Sequence, residues 1–544
     1  MKHSDPIFDA VTAPGTPFEL GERGGMRRFV NAPDDLNQLI ESARAFGDRV
    51  CVAEGDTHWT YAQMFARRDA LAGILDIERG DRVAICMRNR SEWMIGFLAT
   101  IRCGGVAALL NSRGSPSELC AAIDDVSPAV VLADSGRAAL LREGGYTGRL
   151  IVVADFPATG TAPANITPAK KSDPAAILFT SGTTGRVKGA VLTHENLMTG
   201  IMGTQLAGTM VLHNTARDLK IPVSVILENM PQQVTMLVVP LFHISGLGAS
   251  FLSPLLAGSK IVVMRRWAAD EAMELIEREK VTMFSGVPTM MWDIVHAGKG
   301  KKADLSSLRN IGMGGQAMPV SLLNELRAAC PDVVMGTGYG MTETSGSVAM
   351  SMGEDFIRNR ASAGRVLSLV DVRIEGPDGN VLPAGEVGEI VVRGPMVMQG
   401  YWQRPEETAA VLSPDGWLKT GDVGLIDPEG YIFIVDRAKD MVISGGENIY
   451  CAEVERIVNA MPEVVECAAF GIADDRLGEL LVARVVGDNV DAAAIIAEVA
   501  DKLARYKAPA QVRVDAAPLP RNDVGKIDKK RLRTEWTRTE GNPA

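Results

Sequence analysis

The 544-residue chain is poor in cysteine, with only Cys51, Cys86, Cys103, Cys120, Cys330, Cys451 and Cys467. They are scattered and contain no C-x-x-C pair, which excludes a disulfide frame or a thiolate zinc site and leaves reduced thiols of a cytoplasmic protein. Basic charge is also short: 56 Lys and Arg stand against 67 Asp and Glu, a net charge of −11. That balance argues against nucleic-acid or anionic-membrane partners, which need Lys/Arg patches. If the substrates are anions, positive charge must be concentrated locally. The 55 glycines and 28 prolines are too few for a fibrous or disordered chain. Repeats and low-complexity tracts are lacking, and Met1-Lys2-His3-Ser4-Asp5-Pro6 has no apolar signal core. Charge is missing over one long run, residues 236–258, which is long enough to span a bilayer. Pro240, His243, Gly246, Gly248 and Pro254 interrupt it and no basic cluster flanks it, so a buried strand, a turn and a buried helix are expected instead.

What is present fits an ordinary globular protein, with 46% hydrophobic and 23% charged residues. The length calls for two or more domains. Residues 82–87, 129–133 and 150–154 read as buried strands, and 92–101 as an apolar helix. This strand–helix–strand rhythm predicts parallel β/α units. It resumes with strands at 260–264 and 281–284 flanking a charged helix at 268–279. After about Gly364 the character changes. Short strands at 370–374, 388–393 and 431–435 alternate with turn signals such as Pro377-Asp378-Gly379-Asn380, predicting a small antiparallel β unit. The last hundred residues predict a separate α+β domain, with helices at 451–459 and 491–504 and strands at 464–472, 480–486 and 512–514. The boundary falls at Asp436-Arg437-Ala438-Lys439-Asp440.

The strongest chemical signal is Phe179-Thr180-Ser181-Gly182-Thr183-Thr184-Gly185-Arg186-Val187-Lys188-Gly189, directly after an apolar strand at 175–179. Glycines let backbone N–H groups approach phosphate oxygens, and hydroxyls add donors or reach a Mg²⁺ ion. The G-x-x-x-x-G-K-[ST] spacing of a Walker loop is absent. Taken alone, the segment is also compatible with a plain Ser/Thr/Gly surface loop.

The segment resembles the phosphate-binding signature of the adenylate-forming superfamily, which comprises acyl-CoA synthetases, luciferases and peptide-synthetase adenylation domains. Val187 stands where that signature usually has proline. Further segments match in the family's order. Pro240-Leu241-Phe242-His243 resembles the stretch whose histidine lines the acyl pocket. Gly314-Gly315-Gln316-Ala317 resembles the adenine-contacting loop. Tyr339-Gly340-Met341-Thr342-Glu343 resembles the strand end where Tyr stacks on adenine, Thr meets phosphate and Glu holds Mg²⁺. Asp422 takes the place of the ribose-binding aspartate, Arg437 that of the ribose arginine and Lys439 that of the hinge pivot. Gly445-Gly446 would line a pantetheine channel, and Lys526 sits in a segment like the mobile catalytic loop. Each has a bland reading when taken alone: His243 a core histidine, Asp422 a turn residue, Lys526 a solvated lysine, Gly445-Gly446 a hairpin turn. Only the constellation outweighs them.

The resemblance implies an α/β fold. A large N-terminal domain of stacked mixed and parallel sheets with flanking helices and a small antiparallel unit spans residues 1–436. A hinge follows at 437–440, then a small mobile C-terminal domain at 441–544. It implies an AMP-forming acid–thiol ligase using ATP, Mg²⁺ and coenzyme A. Thr180, Ser181, Gly182, Thr183, Thr184, Gly185 and Lys188 would hold phosphates, and Glu343 with Thr184 the metal. Lys526, Thr342, Glu343 and His243 would be catalytic. Gly312, Gly314, Gly336 and Gly338, with Val287, Met290 and Met291, suggest a roomy apolar pocket for a fatty, aryl or terpenoid/steroid acid. Amino-acid-activating relatives usually place an aspartate near Val239, where this chain has Val238-Val239-Pro240. Expected partners are the acid, ATP and CoA, with a homodimer left open and no membrane span. Two alternatives stay in view: an adenylation enzyme loading a carrier protein, and a nicotinamide-dependent oxidoreductase using Gly312-x-Gly314-x-x-Ala317. For the latter, no strand-to-helix unit with a downstream acid is evident in the sequence.

Overall fold

A computed structural model describes residues 5–164, 166–180, 187–297, 304–314, 320–437, 440–444, 447–474, 476–522 and 525–540. The predicted β/α rhythm produces a seven-stranded sheet in the order Gly400–Tyr401, Lys188–Thr193, Pro174–Thr180, Val106–Leu109, Arg82–Cys86, Val130–Ala133, Leu150–Val152. From Pro174–Thr180 onward its strands are parallel. Val106–Leu109 and Val130–Ala133 are buried at every position, so they read as unbroken apolar runs rather than alternating ones.

A second sheet has thirteen strands. Six lie parallel in the order Val50–Glu54, Lys260–Val263, Val234–Leu237, Met283–Gly286, Asn310–Gly314, Val334–Met341. The antiparallel strands expected after Gly364 continue this same sheet, through Gly346–Met352, Gly364–Val366, Tyr431–Arg437, Leu418–Ile426, Gly388–Arg393 and Asp371–Glu375.

The helix Ser91–Arg102 is buried on almost all sides because it lies in a core that both sheets share. Trp93 stacks on Phe97 at 5.9 Å and meets Phe251 edge-on at 6.4 Å. Phe251 belongs to the uncharged run. That run finishes the strand Val234–Leu237, turns at Pro240, and continues as a π-helix Ser245–Leu252 and a short α-helix Ser253–Leu256. It is therefore interior, and among the described residues no helix is long and apolar enough to cross a membrane.

The longest helix, His194–Leu219, had no sequence signal. Its first two turns are buried on several faces and its later turns are mostly half-buried or exposed, so no single apolar stripe runs along it. Its start is fixed by a capping box between Thr193 and Asn196.

After Arg437 a five-stranded sheet forms from Glu447–Ile449, Val442–Ser444, Gly478–Gly487, Val464–Asp474 and Gln511–Asp515. The helices Cys451–Val458, Ala492–Lys502 and Lys529–Glu540 complete this region. Inside it Lys529 Nζ meets Glu455 at 2.8 Å. Burial alone would pull the ammonium down, but Glu455 beside it outweighs that and holds it charged. Of the seven cysteines six are buried, and Cys120 is half-buried.

Candidate active site

The two strands that flank the Ser/Thr/Gly segment pair as an antiparallel hairpin. Strand Pro174–Thr180 leads in, Lys188–Thr193 leads out, and Thr180 pairs with Lys188 across its mouth. The Thr180 hydroxyl donates to the Lys188 carbonyl at 3.5 Å. Ser181, Gly182, Thr183, Thr184 and Gly185 lie outside the described residues. Lys188 Nζ sits 2.5 Å from Glu407 and 5.1 Å from the centroid of the Tyr401 ring.

Strand Val334–Met341 ends beside this hairpin. Gly340 is required there, because a Cβ would stand 1.9 Å from the Gly346 carbonyl oxygen. The short 3₁₀ turn Thr342–Thr344 follows, half-burying Thr342 and burying Glu343. The Glu343 carboxylate accepts a hydrogen bond from Tyr401 Oη at 2.9 Å. Burial pushes this carboxyl up, against the Tyr401 hydrogen bond and the positive charge of Arg437.

Three residues expected at the nucleoside form one linked group. Tyr339 Oη donates to Asp422 Oδ2 at 2.8 Å, and Arg437 Nε pairs with Asp422 Oδ1 at 2.9 Å. Asp422 and Arg437 are register partners on adjacent strands, so the sheet itself sets their spacing. Asp422 is only 3% exposed, and its backbone N–H bonds the Thr420 hydroxyl. Burial, and then Asp422, push the Tyr339 phenol well above its usual range.

The glycines assigned to the acyl side pair in register on parallel strands, Gly312 with Gly336 and Gly314 with Gly338. A Cβ at Gly314 would stand 3.8 Å from the Gly338 carbonyl oxygen, an ordinary van der Waals contact. Half-buried His243 has its ring centroid 4.7 Å from that of Phe242, the two planes tilted by 42°. Met291 is fully buried in the core of the larger sheet rather than open to a pocket, whereas Met290 is half-buried. Gly315, Gln316 and Ala317 lie outside the described residues. The strand Asn310–Gly314 does lead to a helix, Val320–Ala329, and a parallel strand, a unit that the glycine pattern alone did not reveal. The first acid beyond it is Glu343, already bonded to Tyr401.

Lys526 is held in a tight loop. Its N–H donates to Asn522 Oδ1 at 3.1 Å, and Arg521 bridges the Gly525 carbonyl at 3.0 Å to Glu466 at 2.6 Å. This loop abuts the larger region, since a Cβ on Gly525 would lie 3.7 Å from Val287 Cγ2. Lys439, Gly445 and Gly446 lie outside the described residues. On either side of Lys439, Asp436 accepts from Ala452 N–H at 3.4 Å, and Asp440 pairs with Arg533 at 3.3 Å.

Tyr401, Glu407, Arg521 and Glu466, which contact candidate residues or their loops, were not singled out in the sequence. The one available signal was the Tyr401 phenol itself, a polar end on an aromatic body that needs a partner when buried. Among the described residues no group of three or more His, Cys, Asp or Glu side chains could hold a metal ion. One buried carboxylate still fits magnesium, which usually binds through one or two carboxylates and the substrate's phosphates.

Comparison with known proteins places the chain among characterised enzymes. The AMP-binding enzyme family matches residues 39–402, and the AMP-binding enzyme C-terminal domain matches residues 453–526. The chain is 36% identical over 505 residues to feruloyl-CoA synthase of Amycolatopsis sp., covering 91% of this chain and 98% of that protein. It is 33% identical over 502 residues to the long-chain-fatty-acid–CoA ligase FadD13 of Mycobacterium tuberculosis, covering 89% and 94%. Its fold is similar to O-succinylbenzoate coenzyme A synthetase (MenE) from Bacillus subtilis, solved in complex with ATP and magnesium ion. There the TM-score is 0.76 at 31% identity, over 92% of this chain and 99% of that one.

Proposed function

The chain belongs to the AMP-binding enzyme family, and from that membership we propose that it is an ATP-dependent carboxylic acid:CoA ligase acting on an apolar fatty, aryl or terpenoid/steroid acid. The observation that carries the reading is the convergence of Tyr339, Asp422 and Arg437 on one side with Glu343 and Lys188 on the other, at the end of one strand.

A carboxylate is a poor acylating agent because its leaving group would be oxide. Joining it to AMP provides a phosphate leaving group instead. The acid's oxygen attacks the α-phosphorus of ATP, pyrophosphate departs, and an acyl-adenylate remains. Two anions must approach each other, so the protein's work is positioning and charge neutralisation. Asp422 and Arg437 orient the ribose beside Tyr339. Thr180, Lys188 and the hydroxyls and amides of residues 181–185 hold the departing phosphates, with Thr342 at the α-phosphate. To do so Lys188 exchanges Glu407 for phosphate. Glu343, with Thr184 as a second donor, would hold magnesium, which would supply neutralising charge at the phosphates when bound. Lys526 stabilises the charge that develops between carboxylate and phosphate, and His243 borders the acyl group.

In the second half-reaction a thiol must stand where Lys526 stood. The segment 437–440, with Lys439 as pivot, turns the domain 441–544 away from the domain 1–436 and brings Gly445-Gly446 to the pantetheine arm. The thiol then attacks the acyl carbonyl and AMP leaves. A pyrophosphate-release assay over a panel of acids, with and without CoA, tests this reading. Stoichiometric pyrophosphate and AMP, with thioester only when CoA is present, are expected. Release of ADP would sink it.

A further inference from the structure

The Gly400–Tyr401 strand is only two residues long, yet it is anchored from several sides. It pairs with Ala190 and Val191 of the phosphate-loop hairpin. Tyr401 N–H bonds the Thr408 hydroxyl at 2.9 Å, and Trp402 N–H bonds the Gly189 carbonyl at 2.7 Å. The Trp402 indole donates to the Asp125 carbonyl at 3.1 Å, and Arg404 pairs with the Asp125 carboxylate at 2.5 Å. The phenol leaving this fixed strand has two neighbours. Its hydroxyl donates to Glu343 Oε1, and its ring face carries Lys188 Nζ.

Tyr401 thus joins the carboxylate assigned to the metal with the lysine assigned to the phosphates. We infer that Tyr401 is a positioning residue of the adenylation half-reaction, holding Glu343 Oε1 so that Oε2 is presented to the ATP-bound cation. This inference rests on the ligase reading. A partner that orients a ligating carboxylate is commonly worth ten- to a hundred-fold in metal affinity. The phenol acts through Glu343 and does not touch the reacting atoms.

The test is Tyr401→Phe, which keeps the ring for Lys188 and removes only the hydroxyl, beside Tyr401→Leu, which removes both. Mn²⁺ binding is measured by electron paramagnetic resonance with an ATP analogue that cannot lose pyrophosphate, and the Mg²⁺ dependence of pyrophosphate release is measured in parallel. Tyr401→Phe should raise the Mn²⁺ dissociation constant and the half-saturating Mg²⁺ by roughly ten-fold or more, with kcat at saturating Mg²⁺ little changed. Tyr401→Leu should add a rise in KM for ATP. Unchanged metal affinity in Tyr401→Phe overturns the assignment. So does a loss of kcat and thermal stability with the metal midpoint unmoved. A wild-type chain that releases no pyrophosphate with any acid overturns the ligase reading instead, and the Mn²⁺ comparison still decides the role of Tyr401.

Discussion

Asp422 shows how much one side chain can be asked to do. It accepts from a buried phenol and pairs with a half-exposed guanidinium, while its own N–H is tied to Thr420. Asp422→Ala should cost about 1–3 kcal/mol, the penalty for leaving the Tyr339 hydroxyl buried without that acceptor. Arg437, at 47% side-chain exposure, is resolvated and adds little. The check is thermal unfolding with and without ATP, where the stabilisation by ATP should also shrink. This residue was legible because Asp422, Arg437 and Tyr339 each sit in a motif with its own spacing. Tyr401 was not, because its partner Glu343 lies 58 residues away and an edge strand of two residues leaves no periodicity.

At the scale of elements, Glu279 closes the helix Ala269–Glu279 and fastens it to two strands. Its carboxylate reaches His58 at 3.2 Å on the strand Thr57–Thr60 and Lys260 at 3.1 Å on Lys260–Val263, with Arg278 alongside. Burial raises its pKa, but those three partners outweigh burial and hold it at about 2. A carboxylate depressed in the fold contributes stability above its unfolded pKa, near 4.5, and loses it as pH falls toward 2. The contribution is at most about 3 kcal/mol, reduced by the exposure of His58 and Arg278 to water. Denaturant midpoints measured between pH 6 and pH 3 should therefore fall less steeply in Glu279→Gln than in the parent. The helix itself was legible from its charged and apolar alternation. The strand after it was read two residues early, at 281–284 instead of Met283–Gly286, because its apolar run begins before its parallel pairing does. His194–Leu219 was invisible since tertiary burial, not an amphipathic stripe, holds its first turns.

For the whole molecule, the sequence carried the large and the small region and their order, because the strand–helix rhythm marks the first and a separate set of helices and strands after Arg437 marks the second. It did not carry the joining of the antiparallel strands onto the larger sheet. Pairing between strands distant in sequence, such as Gly364–Val366 with Tyr431–Arg437, has no local signature. Contact between the Lys526 loop and Val287 was equally hidden, since Gly525 and Val287 are far apart in the chain. That contact bears on the proposed two-step reaction. Lys526→Ala should lower acid-dependent pyrophosphate release by at least about a hundred-fold. It should spare thioester formation from supplied acyl-adenylate, measured by thiol consumption. Equal loss of both half-reactions would remove Lys526 from its assigned step.

The enclosed cysteines have a practical consequence for following such a movement. Burial pushes the Cys86 thiol up to about 12 and the Cys103 thiol up to about 11, so neither presents a thiolate near neutral pH. Cys120 alone is partly open. Cys120 apart, the native thiols should therefore react little with maleimide dyes. A pair of fluorophores placed on thiols introduced either side of Asp436 would report distance against a dark background, and the turn of the small domain could be timed by energy transfer in a single turnover.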